Sequence, residues 1–97
     1  MHKAHKELLD KLKNASEKVQ SGGLYYHYKN SDQSYMVIKL AILEANDTIC
    51  VIYEALYDDK LVFVRPLDSW LEKVEWNGKM TDRFTYIKSR LTGIELQ

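Results

Sequence analysis

The sequence predicts a mainly β domain, a small barrel of about five strands preceded by an N-terminal α-helix. Short runs rich in aromatic and β-branched residues recur along the chain, and each is bounded by turn residues: Asn30-Ser31-Asp32, Asn46-Asp47, Asp58-Asp59-Lys60 and Asn77-Gly78. Only the N-terminal part repeats apolar residues at helical spacing. Domain organisation follows directly: an amphipathic helix over residues 1–22, a barrel over 23–88 and a tail over 89–97.

The expected helix runs from Lys3 to Gln20, with Leu8, Leu12, Ala15 and Val19 on one stripe and Leu9 at its edge. Ser21-Gly22-Gly23 stops it, because glycine takes the left-handed turn without steric cost. The first strand is Leu24 to Lys29, in which Tyr25 and His27 face away from Leu24, Tyr26 and Tyr28. Tyr35 to Leu43 is apolar on both faces under strict alternation, so this strand is either a covered barrel wall or an interface. Ile49 to Trp70 is the organising stretch, with a third strand from Thr48 to Tyr57 and a fourth from Leu61 to Arg65. Pro66 either ends that strand or opens a helical turn over Leu67 to Leu71. Lys73–Trp76 and Lys79–Thr81 flank Asn77-Gly78, the pair best suited to a two-residue type I′ turn. Arg83 to Ile87 adds a last extended segment, and the tail beyond Ser89 is expected to fray.

At 97 residues, 45% hydrophobic and 29% charged, the composition is that of one soluble globular domain. No apolar run approaches the roughly 20 residues of a bilayer helix, and no signal peptide is recognisable. The expected compartment is the cytoplasm. Cys50 is the only cysteine and lies in an apolar strand, where a buried, unreactive thiol is expected. One chain cannot form a disulfide or a thiolate metal cage from it, and His2 with His5 lacks a third ligand, so neither metal nor cofactor is expected. The 14 basic residues balance the 14 acidic ones, but residues 40–78 carry eight acids against three bases. Lys79, Arg83, Lys88 and Arg90 stand against Asp82 alone and form a local basic patch.

Gly23-Leu24-Tyr25, His27-Tyr28-Lys29, Tyr35, Val37, Val51, Tyr53, Leu56-Tyr57, Val64-Arg65-Pro66-Leu67, Val74-Glu75, Asn77-Gly78 and Arg83-Phe84 occur in a fixed order. In these residues the chain resembles the bacterial domain-of-unknown-function family numbered 1653. The resemblance implies a compact SH3-like barrel and implies no activity. Where that family shows a His-Ser-Glu-Thr run, this chain reads Leu43-Glu44-Ala45-Asn46, so no role of that run transfers. Phe63 stands in place of a tryptophan, and Trp70 in place of a phenylalanine.

Two constellations stand out. His27 beside Tyr25 can donate, accept and stack, but no nucleophile or orienting carboxylate accompanies it in a motif. Arg65 before Pro66 either pairs internally with Glu54, Asp58 or Glu75, or presents its planar fork to an anion. The leading expectation is a noncatalytic binding module, monomeric or homodimeric, with Tyr25, His27, Tyr57, Arg65 and Trp70 around a shallow groove for a protein, peptide or small molecule. The alternative is an RNA-associated domain in which Lys79, Arg83, Lys88 and Arg90 contact phosphate. A small enzyme with His27 as base is the third reading.

Overall fold

The computed structural model describes residues 4–89. In chain order its elements are α1 (His5–Ser16), β1 (Gly23–His27), β2 (Asn30–Leu43), β3 (Thr48–Ala55), β4 (Val62–Pro66), α2 (Leu67–Leu71), β5 (Lys73–Trp76), β6 (Lys79–Asp82) and β7 (Phe84–Ser89). The fold is mainly β and forms a small, open, barrel-like arrangement. Five strands make one antiparallel sheet in the order β4-β3-β2-β1-β7, and β5 pairs with β6 alone.

The helix ends earlier than its apolar stripe suggests. Ser16 Oγ donates back to the Lys13 carbonyl at 2.7 Å, and the chain leaves the helix at Glu17. A turn then carries Val19 into the core, where it is fully buried beside the sheet. Gly22, at φ 79°, donates its N–H to the Val37 carbonyl and so ties this turn to β2.

The largest departure from simple alternation lies in β2. Tyr35 pairs with Ala55 and Val37 with Tyr53, but the register shifts between Val37 and Lys39. Beyond that bulge Leu40 pairs with Val51 and Ile42 with Ile49, so the inward set changes from odd to even positions. Both faces of β2 read as apolar because one strand changes which face it buries part-way along. The expected turn at Asn30-Ser31-Asp32 is displaced for a related reason: His27 already pairs with Asn30, so Tyr28 and Lys29 make the turn and Asn30 opens β2.

Pro66 fills both roles foreseen for it, ending β4 and preceding the first turn of α2. That short helix places Trp70 in the core. There Trp70 stacks on Phe84 with ring centroids 3.8 Å apart and planes 4° apart, while Tyr25 and Tyr53 meet its edges at 5.3 and 4.9 Å. Asn77 at φ 54° and Gly78 at φ 80° make the β5–β6 turn.

Gly23 sits under a tight contact. A Cβ there would stand 2.9 Å from the Gln20 carbonyl oxygen and 3.0 and 3.1 Å from the rings of Tyr25 and Tyr86. Gly23→Ala is therefore expected to lower stability by about 1–3 kcal/mol through overpacking, measured as a reduced urea midpoint at unchanged slope.

Candidate functional site

A cavity of about 240 Å3 opens on the inner side of the larger sheet, and every strand of that sheet contributes to it. His27 comes from β1, Tyr35 from β2, Tyr53 from β3, Phe63 and Arg65 from β4, and Phe84 from β7. Register explains the set: Phe63 lies opposite Tyr53 and Arg65 opposite Val51, so β4 turns these two side chains toward the buried face of β3. Phe63 remains exposed at the rim.

Arg65 is held by neutral groups. Its Nη1 donates to Ser69 Oγ at 2.8 Å, its Nε to the Tyr53 hydroxyl at 3.4 Å, and its guanidinium carbon lies 5.5 Å from the centroid of Phe84. Glu54, Asp58 and Glu75 do not pair with it. Ion pairs form instead between Lys73 and Asp82 and between Arg83 and Glu72. The two bonds of Arg65 leave further N–H groups of its fork uncommitted, since guanidinium carries more donors than they use.

His27 and Tyr35 are both held toward their neutral forms. Burial lowers the His27 pKa below its usual 6.5, and the charges of Arg65, Arg83 and Lys29 push it the same way. Its Nδ1 accepts the Lys29 amide at 3.3 Å, which leaves the proton of the neutral ring on Nε2. Tyr35 and Tyr57 share an O–H···O hydrogen bond, and burial together with that bond raises the Tyr35 pKa far above the ordinary phenol value. The site thus carries one firm positive charge in a ring of uncharged aromatic groups.

The five expected groove residues do not share one groove. His27 and Arg65 meet, and Tyr57 adjoins them through Tyr35. Tyr25 and Trp70 are core residues, 4% and 2% exposed, on the far side of Phe84, where they edge a separate cavity of about 320 Å3. Tyr25 is committed there: its hydroxyl accepts the Gln20 amide at 3.0 Å. Sequence reasoning missed Tyr35, Tyr53, Phe63 and Phe84 as lining residues, although inward phase on β3 and β4 identifies Tyr53 and Phe63 once the pairing is known. A third cavity, about 340 Å3, lies between α1 and the β2–β3 turn, and its mixed-charge walls include Lys18, Asn46 and Asp68.

The expected basic segment is divided. Arg83 is engaged with Glu72 and with the Ser69 carbonyl, the latter at 3.1 Å. Lys79 belongs to the two-stranded sheet and Lys88 to the five-stranded one, while Arg90 lies outside the described residues, as does His2. Among the described residues no helix is long and apolar enough to cross a membrane.

The profile of a family described as protein of unknown function, DUF1653, matches residues 23–86. The chain belongs to DUF1653. The match covers β1 to β6, α2 and the first half of β7 and leaves α1 outside it. A crystal structure of a DUF1653 protein from Bordetella bronchiseptica is similar, with a TM-score of 0.65 and 28% identity over 75% of this chain and 92% of that one. No curated protein matches the chain. The family description names no catalytic activity.

The lowered His27 pKa gives a signed pH dependence. Because the unfolded imidazole binds its proton more readily, the stability contributed by neutral His27 is fully present above about pH 6.5 and is lost as pH falls through the lower folded value. The stability of the wild type relative to His27→Gln should fall when pH is lowered from about 7.5 to about 5, as measured by urea unfolding at each pH.

Proposed function

We propose that this DUF1653 domain is a noncatalytic binding module whose site is the cavity around Arg65 and His27, and that it takes a carboxylate borne on a flat or apolar group. One observation carries this reading: Arg65 sits in an aromatic ring with uncommitted donors and without a carboxylate partner among the described residues. A planar fork suits a carboxylate, which accepts two parallel hydrogen bonds. The faces and edges of Phe63, Tyr53 and Phe84 suit the body that carries it. A catalytic role for His27 has less support. Its Nδ1 already accepts the Lys29 amide, and Tyr35, a phenol lining the same cavity, is held protonated.

The open barrel is read as SH3-like, and its free, buried Cys50 suits a reducing bacterial cytoplasm. The RNA-binding alternative loses support from the engagement of Arg83 with Glu72.

Benzoate and benzamide separate charge recognition from aromatic packing. Titrated into isotope-labelled protein, benzoate should shift the Arg65 Nε and His27 ring signals and raise the His27 pKa toward its ordinary value, because it offsets the neighbouring guanidinium charge. Benzamide should bind about tenfold more weakly or worse, and Arg65→Met should remove the difference. Equal responses to the two probes, or shifts confined to other surfaces, would refute the reading.

A further inference from the structure

The strand that supplies Arg65 is also an open edge. β4 is the terminal strand of the five-stranded sheet, paired on one side with β3. The bond from the Ala55 N–H to the Leu61 carbonyl, 2.9 Å, sets the phase of that pairing. Leu61, Phe63 and Arg65 therefore direct their backbone groups at β3, and Val62 and Val64 direct theirs away from the sheet. Pro66, opposite Cys50, falls in the outward phase, so its missing N–H costs no ladder bond.

Apart from Pro66 at its end, this edge lacks the usual protection. Sheet edges are ordinarily blunted by charged side chains or covering segments. Here Leu61-Val62-Phe63-Val64 is an uncharged apolar run, with Val62 and Val64 55% and 63% exposed. Charge decides between occupants. Two copies of β4 joined antiparallel, with Val62 facing Val64 of the other copy, would set Arg65 opposite Leu61 and bring it no carboxylate. The register that sets Asp59 opposite Arg65 would run through Lys60, which at φ 55° is not extended and lies outside β4. A strand from an acidic partner brings one, because side chains directly across two strands lie about 5 Å apart on the same face.

We propose that an extended peptide segment of a partner protein adds to the free edge of β4, hydrogen-bonds to Val62 and Val64, and places a Glu or Asp side chain on Arg65. The proposal rests on the carboxylate site described above and names the molecule that carries the carboxylate. Backbone pairing supplies sequence-tolerant contact, and the Arg65 cavity supplies selection for the acid. Val62 and Val64 form an apolar strip on the opposite face of the added strand, suited to β-branched residues at its alternate positions.

The test uses the full chain and a fluorescent peptide, Thr-Val-Thr-Val-Glu-Val-Thr-Val, beside its Glu→Gln counterpart. Anisotropy should show binding of the Glu peptide and about tenfold weaker binding of the Gln peptide. Amide exchange read by NMR should slow at Val62 and Val64 on peptide binding, by about tenfold or more, and stay unchanged at Phe63, whose N–H already bonds to β3. Val64→Pro should lose the peptide and keep benzoate; the exchange measurement needs no variant and stands if that protein fails to fold. Peptide binding without protection at Val62 and Val64, or equal binding of both peptides, would overturn the proposal. Benzoate binding with no peptide binding would overturn strand addition and leave the cavity reading intact, whereas absence of both would remove the two together. A dimer in sedimentation, with the Val62 and Val64 amides protected in the free protein and no response to peptide, would assign the edge to a second copy and overturn the proposal as well.

Discussion

The stack of Trp70 on Phe84 is the contact on which the interior depends. Trp70 comes from the short helix that follows β4, and Phe84 begins β7 at the far edge of the same sheet, so their overlap draws the two ends of an open sheet together. Tyr25 and Tyr53 close on the edges of the stack, and Val19, Val37 and Val51 fill the space beneath. A chain of this size has few residues with which to build a core. Large rings used edge-to-face and face-to-face supply much of the buried area that leucine-rich helices would otherwise provide.

The same stack divides the interior in two. On one side Tyr25, Trp70 and Tyr86 border a cavity beneath the turn after α1. On the other side Phe84 turns toward Arg65, and His27, Tyr35, Tyr53 and Phe63 complete the ring. Arg83 is fastened to Glu72 and to the Ser69 carbonyl, and Arg65 to the Ser69 side chain, so α2 anchors both arginines while, among the described residues, only Arg83 has a carboxylate partner. This asymmetry is what supports the proposal of a site on the Arg65 side, while the Trp70 side is packed core.

Much of the architecture was legible in the sequence because turn chemistry is local. Asn77-Gly78 adopts the positive φ pair that its residue types favour, and Asp58 does so in the β3–β4 connection, where Lys60 also takes a positive φ that its residue type does not favour. The bulge in β2 was not legible. It depends on pairing with β3, and an apolar run cannot reveal the position at which its inward phase changes. Tyr25 was misread for a comparable reason: the close approach of Gly23 to Gln20 folds the turn over its ring and buries it, which no alternation pattern records. His27 and Arg65 were legible as chemistry, but their convergence required the sheet to bring β1 and β4 around a common cavity. The edge position of β4 was not read from Pro66, which the sequence marks only as a strand end or a helix start.

A half-buried Arg65 without a carboxylate partner among the described residues costs desolvation, and the proposed carboxylate ligand would supply the missing counter-charge. The most direct measurement is the unfolding free energy of Arg65→Met in ligand-free protein. Methionine keeps the packing against Phe84 and removes the charge, so the lost hydrogen bonds to Ser69 and Tyr53 should be largely offset by relief of desolvation. The variant should remain within about 1 kcal/mol of the wild type. A loss of about 3 kcal/mol or more would show that Arg65 serves the fold, and would contradict the account.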